Sequence, residues 1–143
     1  MNFSENTNYL DYMRLFGAED YPEARAALMR SIQDFGDTTY QKAFLLKRVA
    51  DIFFLEGEID RSLEYYLLSE KADASSLQPK LHFAMFMAHQ LGAFKEAIDK
   101  CNQILSAAKS HPFEEAEDEF GSDYYAAKVA EIKQFCEAEI AGK

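Results

Sequence analysis

A short pattern that returns three times limits what this chain can fold into. It runs Gly92-Ala93-Phe94-Lys95-Glu96-Ala97-Ile98, then Gly57-Glu58-Ile59-Asp60-Arg61-Ser62-Leu63, and more loosely Asp20-Tyr21-Pro22-Glu23-Ala24. Each copy joins a turn to an apolar ring or branched residue, with a small residue three positions later. The small positions, Ala24, Ser62 and Ala97, lie 38 and 35 residues apart. A period of that size predicts stacked helical hairpins, because one such hairpin cannot bury its apolar face alone.

Helical spacing of apolar residues continues along the whole chain and predicts about seven helices. The first starts after Ser4 and carries Tyr9, Leu10, Tyr12, Met13 and Phe16. The second opens at Pro22 behind Asp20 as a cap, carries Ala24, Ala27, Leu28 and Ile32, and is broken by Gly36-Asp37-Thr38-Thr39. A long third helix holds Phe44, Leu45, Val49, Ile52, Phe53 and Leu55 and ends at Gly57. The fourth runs from Asp60 through Leu63, Tyr66 and Leu67 and frays near Asp73-Ala74-Ser75-Ser76. Pro79 marks the first turn of the fifth, Gly92 stops it at a corner, and Phe94 to about Ala108 forms the sixth. His111-Pro112 ends the repeats. Gly121-Ser122 signals a new start, and the spacing of Val129, Ile132, Phe135 and Cys136 predicts a last helix covering the open end.

With 143 residues and 48% hydrophobic content, the chain is expected to be one folded domain with a real core. Three prolines and six glycines are too few for the many turns of an all-β fold. The formal charge of −10 argues against nucleic acid and against an anionic membrane, and favours a basic protein partner over a neutral one. The same charge also serves solubility alone. Cys101 and Cys136 are the only cysteines and have no metal-ligand or CxxC spacing. They read as two buried thiols in a reducing compartment, with a disulfide between them as the alternative. Met1 to Thr7 has neither a basic region nor an apolar run, and no stretch approaches the roughly 20 apolar residues of a membrane span. The expected location is the cytoplasm.

The best copy, Leu91-Gly92-Ala93-Phe94-Lys95-Glu96-Ala97-Ile98 continuing to Cys101, Ile104 and Leu105, resembles a tetratricopeptide repeat. The resemblance covers roughly residues 8 to 110. In that family the glycine makes the corner, the aromatic packs beneath it, and the small residue lets two helices approach closely. The second copy keeps Gly57, places Ile59 at the aromatic position and uses Ser62 and Ser69 at the close contacts. The first departs further, with Glu19 where glycine is expected and Asp11 at a usually apolar position. The implied fold is all-α, a right-handed superhelical stack of antiparallel hairpins at about 5–35, 39–73 and 77–109. An acidic segment at 113–123 and a capping helix at about 122–141 complete the single domain.

The resemblance further implies a concave groove lined by the first helix of each repeat. Carried over position by position, that groove takes Tyr9, Met13 and Phe16, then Lys47, Arg48, Asp51 and Phe54, then His82, Phe83, Phe86, His89 and Gln90. Family members that clamp a chaperone's terminal carboxylate use a lysine and an asparagine four residues on. Here the matching pairs are Tyr9 with Met13, Lys47 with Asp51 and His82 with Phe86, so that clamp is missing.

Read from the residues themselves, His82 and His89 lie two helical turns apart, roughly 10 Å, too far to chelate one metal without a third element. Two half-exposed polar histidines are the plainer reading. Phe53, Phe54, Tyr65, Tyr66, Phe83 and Phe86 form an aromatic centre, of which Phe54, Phe83 and Phe86 are candidates for the groove floor. Lys47-Arg48 could receive a partner carboxylate, but Asp51 four residues after Lys47 is the nearer acceptor. Glu114, Glu115, Glu117, Asp118, Glu119 and Asp123 form the strongest charge run, either a solvated segment or a surface for a basic protein. Nothing matches HExxH, a phosphate-binding loop, GxGxxG or GxSxG, and no carboxylate pair stands out as catalytic.

The expected function is therefore non-enzymatic protein binding without metal or cofactor. A small acidic inhibitor or immunity-type protein that neutralises a partner, such as a toxin, is the first reading. A secretion-type chaperone holding a peptide of its substrate in the groove and an adaptor subunit of a larger complex are the alternatives. The sequence leaves the oligomeric state open.

Overall fold

The computed structural model describes residues 2–36, 38–108 and 122–142 and is all-helical among them. Seven α-helices are seen: α1 (Thr7–Gly17), α2 (Tyr21–Phe35), α3 (Thr39–Leu55), α4 (Ile59–Ala72), α5 (Leu77–Phe86), α6 (Phe94–Ala108) and α7 (Ser122–Ala141). The chain divides into two compact units, Met1–Ser76 and Leu77–Lys143.

In the first unit α1 packs on α2, α2 on α3, and α3 most extensively on α4. Its core joins Tyr12 of α1, Ala24, Ala27, Leu28 and Ile32 of α2, and Leu45, Val49 and Ile52 of α3. A 3-10 turn, Phe3–Glu5, precedes α1. The helix then begins at Thr7 rather than straight after Ser4, because the Asn6 side chain accepts the Tyr9 N–H at 2.8 Å. Asn6 is itself buried. Its amide donates to Asp34 at 3.0 Å and its oxygen accepts from the Ser31 hydroxyl at 2.8 Å, pinning the start of α1 to the end of α2. Asp20 occupies the cap position of α2, but its side chain makes no capping hydrogen bond.

The small residues of the repeated pattern, Ala24, Ser62 and Ala97, all have zero exposure. Between α3 and α4 the contact is also polar. Ser62 donates to the Ala50 carbonyl at 2.8 Å and Ser69 to the Ala43 carbonyl at 2.6 Å. Both the donors and the acceptors are seven residues apart, two helical turns, so the two bonds hold the antiparallel helices in one register.

In the second unit α5 continues through a π-helical turn, Met87–Leu91, to Gly92. Leu77, Leu81, Ala84 and Ala88 pack with Ala97, Cys101 and Ile104 of α6 and with Tyr125, Val129, Ile132 and Cys136 of α7. Both cysteines are buried free thiols, and burial pushes the Cys101 thiol up to about 11.

The three corners share one backbone device. Glu19, Gly57 and Gly92 take φ of +60°, +80° and +63°, and the next N–H turns back into the preceding helix: Asp20 to Leu15, Glu58 to Phe53, and Ala93 to Met87. Glycine holds this conformation freely, whereas an L side chain such as that of Glu19 is strained by about 1 kcal/mol. Glu19→Gly is therefore expected to raise the unfolding free energy by about 1 kcal/mol. Gly57→Ala, where an added Cβ meets nothing within 4 Å, should lower it by a similar amount through backbone strain alone. Denaturant titration of the two variants against the parent checks both signs.

Candidate functional site

The connections in the first unit are short, so successive helices alternate in direction. Residues 18–20 and 56–58 consequently emerge at the same end of that unit. An ion pair between the start of α2 and the end of α3 fastens this end: Arg25 donates to both carboxylate oxygens of Glu56, at 2.6 and 3.0 Å. The Arg25 guanidinium also lies 4.4 Å from the centre of the Phe53 ring, which in turn packs at a tilt against Tyr65 at 5.4 Å.

Large apolar side chains remain exposed on the last turns that lead into this end. Phe16 and Phe54 are each 37% exposed and Leu55 is 50% exposed. Glu19, Asp20 and Glu58, in the corners that follow these turns, are exposed and acidic. Phe16 is the last member but one of a ladder of rings along α1, running Phe3–Tyr9–Tyr12–Phe16–Tyr21 with centroid separations between 4.8 and 5.9 Å. The ladder holds the Phe16 ring from behind while one side stays open to solvent.

Behind Phe54, on the same face of α3, lies a buried polar cluster. Lys47 has no exposed side-chain surface and pairs with Asp51 at 3.5 Å; Arg48 approaches the same carboxylate at 3.9 Å. Both cations also lie over the Phe44 ring, at 4.6 and 5.1 Å. Tyr66 of α4 donates its hydroxyl to Asp51. One carboxylate and one ring thus balance two cations, and the Lys47 ammonium makes no full hydrogen bond among the described residues. Burial pushes Lys47 down to about 8, although the Asp51 charge opposes that shift. Burial raises Tyr12 to about 12 and drives Tyr66 upward too, helped in the latter by Asp51.

The residues assigned to a groove therefore fall into distinct environments. Met13, Phe16 and Phe54 are exposed, Tyr9, Arg48 and Asp51 are half-buried, and Lys47 is enclosed. In the second unit, His89 and Gln90 are exposed and His82 is half-buried, whereas Phe83 and Phe86 are buried. The His89 ring packs at a tilt against Phe135 of α7, with centroids 4.2 Å apart, and the Lys100 ammonium lies 4.8 Å from the Phe83 ring centre. Asp123 is exposed in the first turn of α7. Glu114, Glu115, Glu117, Asp118 and Glu119 lie outside the described residues. Among the described residues no group of three His, Cys, Asp or Glu side chains could hold a metal ion, and no helix is long and apolar enough to cross a membrane.

Glu19, Asp20, Leu55 and Glu58 lie at this end without having been singled out as binding residues. Only the antiparallel course of α1 to α4 gathers them, and no local pattern marks that. No family model matches the chain, and no curated protein is similar enough to count as a relative.

The depressed lysine has a measurable consequence. Below pH 8 both the folded and the unfolded chain hold the Lys47 proton, and burying it opposes folding by about 3 kcal/mol. Between pH 8 and 10.5 the unfolded chain holds a proton that folded Lys47 has released, so this site's contribution to stability rises with pH. Tyr12, Tyr66 and Cys101 act in the opposite sense at high pH, since they keep protons that the unfolded chain gives up. Comparison with Lys47→Met cancels those groups. The variant is expected to be more stable than the parent at pH 7, with an advantage that shrinks by about 2 kcal/mol on going to pH 10. A constant difference across that range, in denaturant titrations, would show that Lys47 titrates normally.

Proposed function

We propose that the chain is a non-enzymatic protein-binding module that captures a basic partner protein, in the manner of an inhibitor or immunity-type protein. The observation that carries this reading is that exposed Phe16, Phe54 and Leu55 and the exposed acids Glu19, Asp20 and Glu58 all lie in or beside the two corners at one end of the first unit. Apolar anchors inside a charged rim are the anatomy of a protein interface. The rings supply most of the affinity, and the rim supplies steering and partner choice. The formal charge of −10 favours a basic partner by the same physics over longer range. The run from Glu114 to Glu119 and Asp123 belongs to the reading as a second acidic surface for the same partner.

The alternative of a chaperone that holds an extended peptide needs an open aromatic floor. Its weight falls because Phe83 and Phe86 are buried and Lys47 is enclosed. Divergent tetratricopeptide repeats remain our reading of the architecture. It is supported by the common corners at Glu19, Gly57 and Gly92 and by the buried small residues at Ala24, Ser62 and Ala97. A cytoplasmic location is part of the same proposal.

The test is affinity capture from the native cells with a C-terminal tag, eluting at low and then high salt. The expected result is one basic partner in a one-to-one complex, captured more slowly at high salt because steering fades as the Debye length falls to about 3 Å at 1 M. With that partner purified, Phe16→Ala and Phe54→Ala should each weaken binding about tenfold, mainly through faster dissociation. Glu19→Lys with Glu58→Lys should slow association. A partner held through high salt and indifferent to all four changes would overturn the reading.

A further inference from the structure

Helix α4 is committed to α3 along one side only. Ser62, Tyr66 and Ser69 are buried on that side, with their hydroxyls bonded to Ala50, Asp51 and Ala43. On the opposite side Asp60, Glu64, Leu67, Leu68 and Lys71 are exposed and Leu63 is half-buried. These six residues line a shallow depression of about 420 Å³ that belongs to α4 alone. Leu67 is 52% exposed and Leu68 40% exposed, a leucine pair that a surface helix ordinarily turns inward.

Among the six lining residues the charges are ordered. Both acids, Asp60 and Glu64, lie toward the N-terminal end, the base Lys71 lies toward the C-terminal end, and the leucines lie between; exposed Arg61 lies beside the lining. Asp60 and Lys71, eleven positions apart, are separated by about 16 Å along the helix. A copy of the same helix laid across it in the opposite direction, crossing near Leu67, sets Leu63, Leu67 and Leu68 against their equivalents. It also brings each Lys71 to the Asp60 and Glu64 of the other copy. A parallel copy would set like charges against each other. The stripe is therefore self-complementary only under a two-fold axis, which is the requirement for an isologous dimer.

We infer that the outward face of α4 is a homodimer contact in which two copies of the chain pack their α4 helices antiparallel. The partner at this face is a second copy of this chain. One helix face per copy is small beside the roughly 1,200–2,000 Å² of a standard stable interface. Two chains of charge −10 also repel each other. The dimer is thus weak, with a dissociation constant on the order of 10–100 μM. At about 0.15 M salt the Debye length is about 8 Å, so repulsion between distant charges is screened while the close Lys71–Asp60 and Lys71–Glu64 pairs persist. This contact does not use Phe16, and Phe16→Ala should dimerise like the parent.

Sedimentation equilibrium of the full chain from about 10 to about 500 μM at about 0.15 M salt tests the inference, the range being set to bracket the expected dissociation constant. The mean mass should rise from 16.3 kDa toward twice that value. Leu67→Asp should hold it at the monomer. Lys71→Glu makes the stripe wholly acidic, and Asp60→Lys with Glu64→Lys makes it wholly basic. Each alone should associate at least tenfold more weakly than the parent, and an equimolar mixture should recover a heterodimer. All the substituted charges are exposed, and circular dichroism is the check that each variant is folded. A parent chain that stays monomeric throughout overturns the inference and leaves the stripe to another protein or to the rest of this chain. A dimer indifferent to Leu67→Asp overturns it in favour of another contact, and a mixture that stays monomeric overturns the antiparallel arrangement.

Discussion

The close antiparallel approach of α3 and α4 is the constraint from which the first unit follows. Ser62 and Ser69 present side chains small enough for the helix axes to close up, and their hydroxyls take the spare acceptor capacity of the Ala50 and Ala43 carbonyls. Two such bonds two turns apart define a single register, since sliding by one turn would leave buried hydroxyls and apolar knobs without their places. Once α4 is fixed, Tyr66 reaches Asp51, and Asp51 in turn is held where Lys47 and Arg48 need it. The inward commitment of Ser62, Tyr66 and Ser69 also dictates which side of α4 faces outward.

The buried Lys47 shows how a unit of this size tolerates an unfavourable group. Its ammonium loses water on entering the core, and one carboxylate shared with Arg48 and one ring shared with Arg48 compensate only partly. The downward shift of its proton affinity records that shortfall. In return, a mis-set α4 would take the Tyr66 hydroxyl from the carboxylate that both cations share, so the cluster selects one arrangement of α3 and α4 more sharply than apolar packing does. Phe54, one turn beyond Asp51 on the same face of α3, opens to solvent.

Much of the helix plan was legible because periodicity is a local property. The corner at Gly92, the span of α6 from Phe94, the end of α3 before Gly57 and the internal pairing of Lys47 with Asp51 all follow from spacing and turn chemistry. The small residues of the repeated pattern could be located as close contacts for the same reason. Glu19 is instructive: the pattern expected glycine, and the backbone takes the left-handed conformation even with a glutamate there. The corner is imposed by the packing of α1 on α2, against the local preference of that residue. The start of α1 was misplaced because the cap at Asn6 depends partly on Asp34 and Ser31, more than twenty residues away.

Exposure was what spacing could not assign. On helices packed from more than one side, residues such as Phe54, Phe83 and Phe86 have identical local credentials as core or as surface, yet one is exposed and two are buried. The grouping of Phe16 and Phe54 with the acids of two separate corners, and the outward turn of Leu67 and Leu68, likewise depend on which helix lies against which. By itself the sequence determined the helical class, the corners and the residues that allow close approach, because those rest on backbone conformation and side-chain size within a few turns. Tertiary packing alone decided which faces close against each other and which stay open to solvent, because burial is a property of pairs of elements and not of either one.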